Sequence, residues 1–176
     1  MSNKQQALSA LDALSIPYTY YEHAPAHSME DCAEFDRMFN IPSDVSHCKN
    51  IFLSNRQRTA FYLALIDGDK RFSTKDFCKS LYISRVSFAK EEDLMELLGC
   101  YPGSASPLGL IFDTQRRITL VCDESLKGKR SLLLHPLDNT ATVEIARSDF
   151  FDVFLKHTGH VPVFTDTFGD ESAKHS

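Results

Sequence analysis

The sequence predicts a single α+β domain, in which a central mixed, largely antiparallel sheet is flanked by helices. Three observations predict it. Strand-like runs dominate, and several stand as consecutive pairs around polar turns. Helical periodicity is confined to the two ends and to connections between strands. No repeat and no linker divides the 176 residues, a length at which one domain buries a proper core.

The elements follow in chain order. "SNKQQALSALDALSI" sets Ala7, Leu8, Leu11 and Leu14 on one helical face, with Ser2 or Asn3 as cap and Pro17 as stop. "YTYYEH" is aromatic and β-branched and reads as a strand. "HSMEDCAEFDRMFNIP" opens with Ser28 and Asp31 in capping-box spacing and presents Cys32, Phe35, Met38 and Phe39 as an apolar face. Asn40 to Pro42 stop that helix. "CKNIFLS" and "TAFYLALI", joined by the polar "NRQR", read as a hairpin.

"STKDFCKSL" reads as a short helix capped by Ser73 or Thr74. "KEEDLMELLG" is a helix with Leu94, Leu97 and Leu98 inward, acids in its first turn and Gly99 at its stop. Next come "LGLIFD", "RITLVCD", "RSLLLHP" and "TATVEI", all strand-like. "SDFFDVFLKHTG" is a helix from a Ser148 cap to Gly159, and "HVPVF" a last short strand. The domain is expected to span residues 1–165, with a disordered tail at 166–176.

The bulk numbers exclude several classes. A hydrophobic content of 43% and a charged content of 24% belong to an ordinary soluble chain. Runs such as "SLLLHPL" are far too short to span a bilayer. The polar start "MSNKQQALSALDAL" lacks the pattern of a signal peptide. Five cysteines without a CxxC pair suggest free thiols in a reducing cytoplasm. Net charge is −5, yet Lys49 to Lys90 holds nine basic and three acidic residues. Such a basic middle is either a footprint for a polyanion or a solvated face with a chance bias.

Candidate chemistry is sparse. His23 and His27 are split by Pro25, His157 and His160 straddle Gly159, and no HExxH or CxxC pattern calls for a metal. Ser104 and Ser106 do not sit in a GxSxG elbow, and Cys48 and Cys100 have no evident base. The neutral loop "CYPGSASPLGL" stands out instead. Gly103 exposes its N–H, Pro102 and Pro107 stiffen the flanks, and N–H groups at Gly103, Ser104 and Ala105 can cradle an oxyanion, a carbonyl or a phosphate. A plain connector has the same composition. Lys49 interrupts a buried-looking strand and His135 ends another, and spacing alone gives neither a role.

In order, four motifs resemble the YbaK and prolyl-tRNA synthetase-associated editing domain family, in its free-standing, alanine-specific branch. They are K-N at Lys49, G-D-K-R at Gly68, the L-G-x-x-P-G-S-x-S-P-x-G-L loop from Leu98, and H-P-L-x-N-T-A-T from His135. The resemblance runs from about Leu8 to Val163. It implies that family's fold and a cytoplasmic trans-editing deacylase without cofactor or metal. Its substrate would be tRNA(Pro) mischarged with alanine, with prolyl-tRNA synthetase a further candidate partner and neither DNA nor a membrane involved. A pocket built for proline admits the smaller alanine, so a second site must remove it.

The resemblance also implies roles. Lys49 would meet the terminal phosphate or the adenosine. Gly103 and Ser104 would present N–H groups to the aminoacyl carbonyl, and His135 would orient the aminoacyl end or the ribose. The neighbouring ribose hydroxyl would help activate water. Cys32 and Phe35 would shape the amino-acid pocket, where the family has aliphatic residues, so cysteine or serine on tRNA(Pro) are alternative substrates. Arg56, Arg58, Lys70, Arg71, Lys75 and Lys79 would contact tRNA phosphates. A non-catalytic tRNA- or synthetase-binding module is the competing class.

Overall fold

The computed structural model describes residues 1–25, 29–68 and 70–170. Its strands form two mixed sheets and a short ribbon. The first sheet has the order β1 (Tyr18–Glu22), β9 (Ala141–Ala146), β8 (Ser131–Leu134), β2 (Val45–His47), antiparallel except for β8 and β2. The second has the order β10 (Val163–Thr165), β7 (Ile118–Asp123), β4 (Phe61–Ile66), β3 (Lys49–Asn55), β6 (Val86–Phe88). There the expected hairpin of β3 and β4 is antiparallel, and β7 lies parallel to both β4 and β10. The ribbon pairs β5 (Lys70–Arg71) with β11 (Gly169–Asp170).

The main core lies between the two sheets. Phe52, Leu63, Leu65 and Leu120 from the second meet Leu132, Leu134, Val143 and Ile145 from the first. Helix α1 (Asn3–Ala13) closes one side, with Ser2 and Gln5 forming a capping box and Ala7 and Leu11 buried. Helix α4 (Glu91–Leu98) closes another with Leu94, Leu97 and Leu98, and Gly99 ends it at φ +63°. On the far face of the second sheet, α3 (Thr74–Leu81), capped by Ser73, buries Phe77 against Leu53, Ala64 and Val121. Over the first sheet, α2 (Met29–Met38) sets Phe35 on Val45 and Leu133.

Several expectations change. Ser28, the expected cap of α2, lies outside the described residues. Met38 is exposed, so the apolar face of α2 is narrower than its spacing suggests. "LGLIFD" is not a strand: Pro107–Phe112 is a 3-10 helix whose N-terminus Ser106 caps. There Gly109 passes so close to α4 that a Cβ would lie 2.1 Å from the Leu98 carbonyl oxygen, which no strand side chain could tolerate. The last helix starts at Arg147, one residue before Ser148, and widens to a π-helix over Phe150–Phe154. Its stop at Gly159 stands, at φ +79°. The expected disorder from Asp166 does not hold through Asp170, because Phe168 is buried beside Phe72 and Gly169 pairs with Arg71.

The chain passes from the first sheet to the second at Cys48, and a buried polar cluster fixes that crossing. Ser46 donates to Asp67 Oδ1 at 2.8 Å, Asp67 N–H donates to Asp123 Oδ2 at 3.2 Å, and Lys129 Nζ lies 3.6 Å from Asp67 Oδ2. Burial pushes the Cys48 thiol up to about 12, which makes it a packing group and not a nucleophile.

Candidate active site

The register of the first sheet brings the two singled-out polar residues together. His47 of β2 lies beside Leu133 of β8, and these strands are parallel. His135, two residues past Leu133, and Lys49, two residues past His47, therefore leave at the same end. Lys49 also donates from Nζ to the carbonyl of Lys70, which ties β3 to the β5 ribbon.

His135 Nδ1 lies 2.8 Å from the Ala141 carbonyl oxygen. A carbonyl only accepts, so Nδ1 carries the proton and Nε2 is left as an acceptor. Burial, together with the nearby His23 and His47, holds the imidazole below the usual histidine range. The ring is neutral at pH 7.

A cavity of about 190 Å³ opens beside it, lined by Phe35, Phe39 and Met38 of the α2 region and by His23, His47 and His135. Asp31 and Glu34 also line it. Phe35 meets Tyr21, His23 and His47 edge-on, with ring centroids 5.2–5.4 Å apart. His23 bonds through both ring nitrogens, to the Ala24 carbonyl and Thr142 Oγ1. His47 spends Nδ1 on Asp36 at 3.1 Å. Phe35 and His135 thus share one cavity. Cys32 is not among its lining residues; it lies within electrostatic range of Lys49, Asp31 and Asp36, and burial and the two acids raise its thiol.

The neutral loop is a built structure. Ser104 N–H donates to the Tyr101 carbonyl at 2.9 Å, closing a turn with Pro102 and Gly103 at its corners, and Gly103 sits at φ +91°. Ser104 is fully buried, and its Oγ bonds both the N–H and the carbonyl of Tyr101. The expectation that Ser104 offers its N–H to a ligand is therefore corrected: the turn uses it. Among the described residues, Gly103 N–H and Ala105 N–H have no partner. Tyr101 pins the loop to the β8–β9 connection, since its hydroxyl accepts from Asn139 N–H at 3.0 Å. Asn139 Nδ2 comes within 3.5 Å of where a Cβ on Gly103 would stand. Spacing singles out neither Tyr101 nor His47, and Asn139 enters only as the asparagine of the H-P-L-x-N-T-A-T motif. The one signal for Tyr101 is an aromatic residue in a loop of small and aliphatic ones.

The six candidate tRNA-binding cations do not form one patch. Lys70 and Arg71 lie at the Lys49 end of the second sheet, and Lys75 and Lys79 are exposed one turn apart on α3. Arg56 is exposed on the β3–β4 turn, about 20 Å from Lys49 along the strand. Arg58 is committed elsewhere: its Nε and Nη2 donate to both oxygens of buried Asp93, at 2.8 and 2.7 Å, fastening the hairpin to α4. That pairing holds the Asp93 carboxyl below the usual range. Among the described residues, no three His, Cys, Asp or Glu side chains gather as metal ligands, and no helix is long and apolar enough to cross a membrane.

Comparison with known proteins bears on the family and the fold. The model of the aminoacyl-tRNA editing domain matches residues 23–153, which include Lys49, the Gly103 loop and His135. The prolyl-tRNA editing protein ProX of Acetoanaerobium sticklandii is 32% identical over 85% of this chain and 88% of its own. The zebrafish (Danio rerio) prolyl-tRNA synthetase associated domain-containing protein 1 is 31% identical over 87% of this chain and 81% of its own. Among solved structures, hypothetical protein APE2540 superimposes with a TM-score of 0.66 at 19% identity, over 92% of this chain and 97% of that one. A candidate trans-editing enzyme for prolyl tRNA synthetase does so with a TM-score of 0.67 at 15% identity, over 93% and 96%. These two establish likeness of fold. With the family model covering most of the chain and the ProX relative spanning it, the chain belongs to the aminoacyl-tRNA editing domain family.

Proposed function

We propose that this protein hydrolyses the ester that joins alanine to the terminal adenosine of mischarged tRNA(Pro). It is an aminoacyl-tRNA hydrolase by family; the alanine preference and the steps below are our reading. The observations that support it are an acceptor imidazole and a strand lysine leaving the sheets at one end, and a turn with two unpartnered N–H groups pinned through Tyr101 to the connection that follows His135.

Gly103 N–H and Ala105 N–H receive the aminoacyl carbonyl; these donors are fixed before the reaction and stabilise charge as it develops on oxygen. His135 Nε2 accepts from the ribose hydroxyl or the α-amine and so orients the ester. Lys49 holds the terminal phosphate or the ribose. The vicinal ribose hydroxyl assists the attacking water, which adds to the carbonyl carbon; the C–O bond to the ribose then breaks, and the ribose oxygen leaves with a proton. The side-chain methyl points toward Phe35, and the rigid ring leaves less room for the pyrrolidine of proline.

Three imidazoles in the cavity wall favour one alternative, serine or cysteine as the amino acid, because a hydroxyl or thiol would find partners there. Single-turnover deacylation of alanyl-, seryl-, cysteinyl- and prolyl-tRNA(Pro) separates the readings. Rapid loss of alanine with proline spared is the expected result. Loss of serine or cysteine alone moves the specificity but keeps the mechanism. No cleavage of any ester overturns the proposal.

A further inference from the structure

A second cavity, of about 290 Å³, lies between β3, β6, α4 and the Gly103 loop and shares no lining residue with the His135 cavity. Its walls are mostly apolar, formed by Ile51, Phe52, Ala89, Leu94, Pro102 and Ala105, with Glu91 the one charged residue that lines it. Two features there stand out. Asn50 lines the cavity, and its Oδ1 is buried without a hydrogen-bond partner. An unsatisfied buried acceptor destabilises a fold, and a donor on a bound ligand would satisfy it. Phe88, on edge strand β6, lines the same cavity, and the residue is 72% exposed.

We infer that this cavity takes the terminal adenine base of the tRNA, with Phe88 stacking on the ring and the Asn50 carboxamide reading its edge. The inference rests on the deacylase reading and extends it to the nucleobase. Adenine matches each feature. It is flat and largely apolar in cross-section, as a slot between Phe88 and Pro102 requires. Its N6 amine and N7 present a donor beside an acceptor, the pair that an asparagine amide bonds in bidentate fashion. A half-turn about Cβ–Cγ exchanges Oδ1 and Nδ2, so the amide can meet that edge from either orientation.

The position agrees as well. Pro102 and Ala105 flank Gly103, so a base in this slot places its ribose ester at the unpartnered N–H groups. Lys49 and Asn50 are consecutive on β3 and project to opposite faces. The base would lie on the Asn50 face and the amino acid on the α2 side. Exposed Arg85 and Lys90 bracket Phe88, as expected where single-stranded nucleotides stack on an aromatic among cations. A free aliphatic ligand would leave the amide unsatisfied.

The test compares alanyl-tRNA(Pro) ending in adenosine with the same tRNA ending in purine riboside, which lacks the N6 amine. Wild type should cleave the first about tenfold better in kcat/KM. Asn50→Ala should cleave both at the lower rate, and Phe88→Ala, an exposed change that spares the fold, should raise KM for both about tenfold with kcat unchanged. Equal cleavage of the two by wild type, or discrimination that survives in Asn50→Ala, overturns the inference. If wild type cleaves neither, the deacylase reading falls and the cavity is judged by NMR titration. Adenosine 5′-monophosphate, and not uridine 5′-monophosphate, should then shift the Asn50 side-chain amide and the Phe88 ring. No selective shift overturns the inference.

Discussion

Two histidines, His160 buried and His135 half-buried, use their ring nitrogens in different ways. His160 Nε2 bonds Asp113 Oδ2 at 2.8 Å and its Nδ1 bonds Thr158 Oγ1 at 2.9 Å, while Asp113 also accepts from the N–H groups of Arg117 and Ile118. Every polar atom of that knot is used inside the fold. His135 spends one nitrogen on the Ala141 carbonyl and turns the other to a cavity. The same contrast separates two loops. The Asp113 loop closes its own donors with a carboxylate, and the Gly103 turn leaves N–H groups open. Closed networks hold the fold, and groups left open at a cavity mark where a ligand completes the structure.

The sharpest way to break this comparison is to truncate both histidines. His135→Ala should cut kcat/KM on alanyl-tRNA(Pro) about 100-fold, the order expected when a reacting ester loses its orienting contact, with Tm nearly unchanged. His160→Ala should do the reverse. It leaves Asp113 short of a partner and opens a cavity, costing about 3 kcal/mol, while the folded fraction retains its turnover. Chemical denaturation and single-turnover assays on both variants decide it. Equal loss of stability in both would erase the distinction.

The pH profile sharpens the same point. Burial lowers the folded-state pKa of His135, so the ring stays neutral below the pH at which an exposed histidine protonates. Turnover should therefore hold from neutral pH down through about 6.5 and fall only at lower pH, as the folded-state ring takes its proton and Nε2 ceases to accept. His135→Gln should lose that acidic limb. The linked stability has the same sign. It is fully present above the unfolded pKa of about 6.5 and is lost as pH falls toward the lowered folded value, because the unfolded chain binds the proton first.

Much of the fold was legible because local signals agreed with tertiary ones. Ser2, Ser73, Gly99 and Gly159 act as caps or stops where propensity puts them. The exceptions are places where a distant segment decides the local structure. "LGLIFD" reads as a strand until α4 presses against Gly109, and two-residue β5 exists only because Gly169 returns to pair with Arg71. The site divides similarly. Lys49, Gly103 and His135 stand out by residue type, and the register gathers them. The commitment of Ser104 N–H to its own turn, and of Arg58 to Asp93, follows from geometry that no spacing encodes.

A smaller effect is expected in the His135 cavity. Phe35 is 6% exposed and packs against His23, His47 and Phe39. Phe35→Leu keeps the site apolar and removes the rigid ring, so prolyl-tRNA(Pro) should gain access. The ratio of alanine to proline release should fall about tenfold, the discrimination that steric exclusion of a methylene or two supplies. Unchanged selectivity would place the discriminating wall elsewhere, with Cys32 the next residue to vary.

The smallest effect separates two kinds of arginine and lysine within the basic middle of the chain. Lys75 and Lys79 are exposed and one turn apart, and the proposal has them neutralise phosphates. Released counterions make such binding salt-dependent, with about 0.7–0.9 of slope in log affinity against log salt for each phosphate contact. The double substitution of Lys75 and Lys79 by Ala should lower the slope by about 1.5 and leave Tm unaltered. Arg58→Ala should lower Tm and leave the slope alone, since its guanidinium is spent on Asp93. If Arg58→Ala flattens the salt dependence instead, the guanidinium exchanges Asp93 for tRNA on binding. The β3–β4 turn would then join the nucleic-acid surface, and Arg56 beside it would become the next cation to test.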